Sequence, residues 1–333
     1  NDEFGISVSV SGSFAIIGAP LEDKLGTNSG SAYAFRQSGT VWVQQSKITP
    51  KDGEADDRFG MAVALHDGVA VIGSRWDDGN GLNSGAAYVY ANSGSSWEEE
   101  AKLEASDGDV SDQFGWSVAI SGDRILVGSP YDDDNGNASG SAYIYTYNGI
   151  WEQTDKLIPI DGGSTDNFGS AVGIGGNMAV VGSPGSDEPL NSGKVYVFIT
   201  FNEGDTWLEG NRLHAPDASS SDAMGTSVGF DGSTVIAGAA NHDDNGSNSG
   251  AAYLAWPFMT DCNNNNTPDG IDLSTGYSED CNENDSPDEC DTSDGTSTDC
   301  NNNDIPDECE EDCNKNGFPD HWEIKLGAAE DCN

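Results

Sequence analysis

Basic residues are scarce in this chain: 13 Lys and Arg face 58 Asp and Glu across 333 residues, a formal net charge of −45 at pH 7. Phosphate recognition needs a basic footprint, so nucleic acid is excluded as a partner and an anionic membrane surface is disfavoured. Apolar runs are short, and none approaches the ~18 residues of a membrane span, so no membrane insertion is expected. Histidine occurs only at 66, 214, 242 and 321, with no common spacing. With no Ser/His/Asp arrangement, phosphate loop or open metal triad, the chain does not read as an enzyme. Cysteine is absent before position 262 and then appears seven times, at 262, 281, 290, 300, 309, 313 and 332.

What is present is repetition. Phe4-Gly5, Phe59-Gly60, Phe114-Gly115, Phe168-Gly169 and Met224-Gly225 open five copies of one pattern, 55, 55, 54 and 56 residues apart. In the third copy, Trp116 to Ile120 reads as a strand and Ser121-Gly122-Asp123 as a turn. Ile125 to Gly128 follows as a buried strand, then Ala142 to Tyr145, an Asn148-Gly149 turn, and Trp151 to Leu157. Four short strands per copy, with no helical periodicity, predict an all-β protein: a five-repeat β-propeller of four-stranded blades. The fifth copy lacks its last strand, which leaves 19 strands for 20 places and one unpaired edge.

The fixed residues suit structural roles. Gly after Phe permits close backbone approach, and Tyr33, Tyr88, Tyr143, Tyr196 and Tyr253 are expected between blades. Trp42, Trp97, Trp151 and Trp207 each precede a basic residue by five positions: Lys47, Lys102, Lys156 and Arg212. The expected partner is the Asp of Asp-x-Phe-Gly (Asp2, Asp57, Asp112, Asp166, Asp222), one ion pair per blade. Asp23, Asp78, Asp133 and Asp243 recur six residues before the Ser-Gly in four copies, either as Asx turns or as weak cation sites.

These motifs resemble the FG-GAP repeats of integrin-type β-propellers, over about residues 1–257. Two departures matter. That family often carries an Asp-rich calcium loop between its first two strands, where this chain has only short turns, so calcium is not carried over to it. Integrin-type propellers usually have seven blades, and five repeats are visible here.

The tail changes sentence. Residues 261–333 carry 22 acids and two lysines, too polar to fold without neutralising cations. Aligned on Asp-Cys-Asn, four loops place oxygen ligands at positions 1, 3, 5, 9 and 12 of an EF-hand-type calcium loop. The first offers Asp261, Asn263, Asn265, Asp269 and Asp272. The second offers Asp280, Asn282, Asn284, Asp288 and Asp291. The third has Asp299, Asn301, Asn303, Asp307 and Glu310, and the fourth Asp312, Asn314, Asn316, Asp320 and Glu323. Calcium is the expected cofactor.

Proline at position 8 removes the backbone donor that paired EF-hands use, so a linear string is expected. This resembles thrombospondin type 3 repeats and, more loosely, dockerin-like calcium modules. Little regular structure is expected; only His321 to Ala329 reads as a helix. Clustered cysteines in a core-poor module read as disulfides of an oxidising compartment. Consecutive pairing (Cys262–Cys281, Cys290–Cys300, Cys309–Cys313) and pairing within loops (Cys281–Cys290, Cys300–Cys309) both remain open.

The domains expected are a propeller at 1–257 and calcium repeats at 258–333. Asn1 enters a repeat directly and Asp331-Cys332-Asn333 reopens the tail motif, so a mature or trimmed piece of a longer protein is expected. The functional expectation is a secreted or cell-surface structural or adhesive protein that associates head to tail, with copies of itself or other extracellular proteins. The alternative is a carbohydrate- or protein-binding propeller, with Trp76 and Tyr131 as platforms for glycans.

Overall fold

The computed structural model describes residues 2–186, 191–200, 206–244, 246–255, 262, 269–282, 284, 286–298, 305, 306 and 309. Contact density divides the chain into two units. One is Asn1–Trp207 with Leu213–Pro257; the other is Phe258–Asn333 with the short stretch Leu208–Arg212.

The described residues form 19 strands in five antiparallel sheets. The first sheet is β1 (Val8–Ser11), β2 (Phe14–Ala19), β3 (Ser31–Ser38) and β4 (Val41–Ile48). The second is β5 (Ala62–His66), β6 (Val69–Ser74), β7 (Ala86–Asn92) and β8 (Trp97–Leu103). The third is β9 (Ser117–Ser121), β10 (Arg124–Ser129), β11 (Ser141–Tyr147) and β12 (Trp151–Leu157). The fourth is β13 (Ala171–Gly175), β14 (Met178–Ser183), β15 (Lys194–Ile199) and β16 (Leu208–Leu213). The fifth has three strands, β17 (Met224–Phe230), β18 (Val235–Ala239) and β19 (Ala251–Ala255). Each is a meander, as short turns between period-two runs dictate. A register shift recurs at one repeat position, at Ala34/Phe35, Val89/Tyr90 and Ile144/Tyr145.

The core is a row of sandwiches between successive sheets. The first strands pack in series, β1 on β5, β5 on β9, β9 on β13 and β13 on β17. Each junction has two faces. The trailing face of one sheet is a cross-strand pair on its second and third strands: Ile16/Ala34, Val71/Val89, Leu126/Ile144 and Val180/Val197. The leading face of the next sheet brings its phenylalanine and an aliphatic first-strand residue, so that Ile16 and Ala34 share a cluster with Phe59 and Leu65. Leu126 and Ile144 meet Phe168 and Ile174 in the same way.

Glycine makes the approach close enough. A Cβ on Gly18 would lie 1.9 Å from the Gly60 carbonyl oxygen of the next sheet, and one on Gly128 would lie 2.0 Å from that of Gly169. Backbone bonds then tie the junction: the Phe59 N–H donates to Ser29 O (3.1 Å), Phe114 to Ser84 (2.8 Å), Phe168 to Ser139 (3.0 Å) and Met224 to Ser192 (2.8 Å).

The second unit departs from the expectation of a tail with little regular structure. Two helices follow the first two loops, α1 (Asp269–Thr275) and α2 (Asp288–Asp294). Each starts at ligand position 9, so positions 9 and 12 sit at i and i+3 on one helical face. The expected helix at His321 to Ala329 lies outside the described residues.

Candidate functional site

The two outermost faces of the sheet row are bare. Phe4 is 53% exposed, whereas Phe59, Phe114 and Phe168 are each 0%. Val10 is 64% exposed, whereas Leu65, Ile120 and Ile174 at the same repeat position are buried. At the other end, Ile236 and Leu254 pair across β18 and β19 as a trailing face. They are 47% and 67% exposed, although their four counterpart pairs are buried to 0%. Beside them lies a groove of about 500 Å³ lined by Ser227, Gly238, Ala239, Gly250 and Ala251. In the first sheet the corresponding residues, Gly18, Ala19, Gly30 and Ser31, hold Phe59-Gly60, and Ser7 Oγ donates to Gly60 O at 2.8 Å. The fifth sheet therefore carries the socket, and Phe4 is an exposed plug of the matching kind.

A second recurrent feature is a lysine set among carboxylates at the loop end of each of the first four sheets. Lys156 Nζ lies 2.7 Å from Asp107, 3.1 Å from Asp132 and 2.6 Å from Asp134. The Tyr143 hydroxyl sits between Asp107 (3.0 Å) and Asp132 (2.8 Å). Lys102 repeats this with Asp52 at 2.9 Å and Asp77 at 3.0 Å, beside Tyr88. Lys47 pairs with Glu22, and in the fourth sheet Lys194 pairs with Asp161 at 2.8 Å. Burial alone would lower the Lys156 pKa, but its bonds to Asp107 and Asp134 and the charge of Asp132 raise it. Burial would raise Asp107, and the Lys156 hydrogen bond and charge bring it below the ordinary range.

These partners correct the expected pairing with the Asp of Asp-x-Phe-Gly. That Asp folds back on its own loop: Asp57 accepts the Glu54 N–H (2.6 Å), Asp112 that of Asp109 (2.6 Å), Asp166 that of Gly163 (2.9 Å) and Asp222 that of Ser219 (2.8 Å). A three-residue turn is entropically cheaper to close than a contact between sheets. Arg212 likewise pairs locally, with Glu209 at 2.7 Å. The lysine's true partners carried a signal in the sequence, since Asp52, Asp107, Asp161 and Asp217 each stand five residues before the folded-back Asp. Burial, then the nearby charges of Asp77 and Asp78, push Asp57 up to about 6 despite the Glu54 N–H. Asp112 is raised to about 6 for the same reasons, with Asp132 as its strongest neighbouring charge.

The acidic loops serve as closures. Asp23, Asp78, Asp133 and Asp243 each accept the backbone N–H five residues on, at 2.9, 2.7, 2.7 and 2.6 Å. Trp76 is covered by the Arg58 guanidinium, 3.7 Å from its ring centroid. Tyr131 lies edge-on to Trp116 at 5.5 Å.

In the tail, only the second loop has all five ligand positions described. Asp280, Asn282, Asn284 and Asp291 are drawn together: Asn282 and Asn284 donate to Asp291 Oδ2 at 3.0 and 2.7 Å, and the Asn284 N–H reaches Asp280 Oδ1 at 3.1 Å. Asp288 Oδ1 accepts the Cys281 N–H at 3.0 Å, and Asp269 accepts that of Cys262 at 2.9 Å. Asp269, Asp272, Asp288 and Asp291 are buried. Burial, then the charges of Asp280, Asp291 and Glu279, raise Asp288 above the ordinary carboxylate range despite the Cys281 N–H. An all-oxygen set of buried acids with no lysine before position 315 fits a hard divalent cation, and turning the two amides over presents their oxygens. The remaining first-loop ligands Asp261, Asn263 and Asn265, and all those of the third and fourth loops, lie outside the described residues.

The disulfides follow neither expected pattern. Cys262 bonds Cys290 and Cys281 bonds Cys309, each across 28 residues, with Cα separations of 5.5 and 5.7 Å. Position 2 of one loop is thus tied to position 11 of the next, where the helix brings the second cysteine beside the start of the preceding loop.

A family model described as the FG-GAP repeat matches residues 1–35, 42–90, 97–145, 151–198 and 207–255. The matches span well over half of the chain, which therefore belongs to the FG-GAP repeat family. The later matched stretches start at Trp42, Trp97, Trp151 and Trp207, so one family unit joins the outer strand of a sheet to the next sheet's first three strands. No curated protein sequence matches the chain. Among the described residues no helix is long and apolar enough to cross a membrane.

Proposed function

We propose that this chain is a secreted or cell-surface structural or adhesive protein that associates head to tail. In this reading the five sheets are blades of a β-propeller, and the tail is a string of calcium loops akin to thrombospondin type 3 repeats. The carrying observation is the groove at Gly238, Ala239, Gly250 and Ala251, together with exposed Phe4. Four junctions within the chain are built from the same plug and socket, so a second copy can supply the fifth with the same residue types. The contact joins two different surfaces, so it propagates as an open filament unless the rotation closes it into a ring.

In the tail, Asp280, Asn282, Asn284, Asp288 and Asp291 would hold calcium. The bound ion supplies the positive charge that the sequence does not. The Cys262–Cys290 and Cys281–Cys309 bonds support an oxidising, extracellular setting. No catalytic role belongs to this reading. Glycan binding by Trp76 is disfavoured, because a sugar would have to displace Arg58 from its ring.

Sedimentation velocity in millimolar calcium tests the proposal. The wild-type chain should grow in size with concentration, and Phe4→Asp should remain a monomer of unchanged melting temperature. A monomeric wild type at every concentration, or a Phe4→Asp variant that associates equally, contradicts it.

A further inference from the structure

The fifth sheet differs from the other four at the place where each of them holds a lysine. Asp217 stands where Asp52, Asp107 and Asp161 stand, and the Tyr253 hydroxyl donates to it at 2.7 Å, as the matching tyrosines do in other sheets. Asp244 corresponds to Asp134. Where Asp77 and Asp132 supply carboxylates, the fifth sheet has His242. Among the described residues it has three strands, and no lysine lies on them.

The imidazole is buried and held from behind. Nδ1 lies 3.0 Å from the buried Asp222 carboxylate, which holds the ring in place. Nε2 faces two further carboxylates, Asp244 Oδ2 at 3.2 Å and Asp217 Oδ2 at 3.8 Å, and would take a metal ion in place of a proton. The three ligand atoms all lie within 4.8 Å of one another. Tetrahedral zinc with bonds of about 2 Å separates its ligands by roughly 3.3 Å, close to this spread. A carboxylate behind a ligating histidine is the usual supporting arrangement in such sites. Asp243 does not compete, because its carboxylate closes its own loop on the Asn248 N–H.

We propose that Asp217, His242 and Asp244 bind one divalent transition-metal ion of the zinc class, which takes in the fifth sheet the place that a lysine ammonium takes in the others. The nitrogen ligand sets this site apart from the all-oxygen loops of the tail and selects against calcium.

The test uses the full, oxidised chain in saturating calcium, so that the oxygen sites are already filled, and cobalt(II) as the probe. Wild type should take up one equivalent with the visible bands of a nitrogen-oxygen site and without the intense absorption of a cobalt thiolate. Zinc should displace the cobalt and raise the melting temperature. Asp244→Asn changes an exposed residue and should weaken binding about tenfold or more. His242→Gln should abolish the bands. Absence of cobalt binding overturns the proposal, and so do bands unchanged in Asp244→Asn.

Discussion

The sheets and the tail both bury carboxylates, under opposite circumstances. In each of the first four sheets a lysine grows from the fold itself and lies among the acids, so a counter-charge is supplied within the chain. Lys156 touches three aspartates and Lys102 touches two together with Glu104. In the tail, Asp269, Asp272, Asp288 and Asp291 are just as buried, and the nearest lysines in sequence are at 315 and 325. A buried acid needs a counter-charge or a proton. The first four sheets are therefore expected to be indifferent to dissolved cations, and the tail to depend on them.

The largest effect should come from removing calcium. In a chelator, residues 269–298 should lose amide protection and become cleavable while the first four sheets stay protected, because ligation is part of the folding energy of such loops. A tail that stays protected in chelator breaks the comparison. Next, Lys156→Met strands Asp132 and should cost the sheets about 3 kcal/mol, whereas Lys24→Met at an exposed site should cost below about 0.5. Equal denaturation midpoints for the two would remove the built-in counter-ion from the account.

Gly128→Ala and Gly238→Ala change the same repeat position with different neighbours. The first drives a Cβ into the Gly169 carbonyl and should destabilise by about 3 kcal/mol. The second meets only the rotatable Ser227 hydroxyl at 2.4 Å, so thermal melting should barely move while association weakens. The smallest effect concerns pH. Asp112 titrates near 6 when folded, above the ~3.9 of an unfolded Asp. The folded state thus holds this proton more tightly, so the residue favours folding at low pH and that contribution is lost as pH rises from about 4 to about 6. Asp112→Asn should gain stability relative to wild type at pH 7 and show no gain at pH 4, as read by urea midpoints.

The strand order was legible because a 55-residue period carries its own proof: Phe59, Phe114 and Phe168 had to do the same job, and they do. The three strands that the described residues form in the fifth sheet were legible for the same reason. The partner of each lysine was not read correctly, because the Asp of Asp-x-Phe-Gly is equally regular and its three-residue turn closes before any contact between sheets can form. The better signal was Asp52 and its repeats, five residues earlier. The helix at Asp269–Thr275 leaves no periodicity that seven residues can display. The Cys262–Cys290 bond links a loop start to a cysteine on the second helix, Asp288–Asp294, a pairing that neighbouring spacings do not suggest. Sequence spacing pointed to five ligand positions in the second loop, and hydrogen bonds draw four of them, Asp280, Asn282, Asn284 and Asp291, together.

The central claim is that the fifth sheet's groove receives Phe4 of another copy, as the earlier sockets receive Phe59, Phe114, Phe168 and Met224. Hydrogen exchange of the wild-type chain at low and high concentration tests it most directly. Protection should rise with concentration in two segments, residues 3–11 and residues 225–255, and at the Phe4 amide above all, since the Phe59, Phe114 and Phe168 amides are the ones that bond the preceding sheet. Exchange that is independent of concentration in both segments, or protection that appears elsewhere on the chain, would contradict the account.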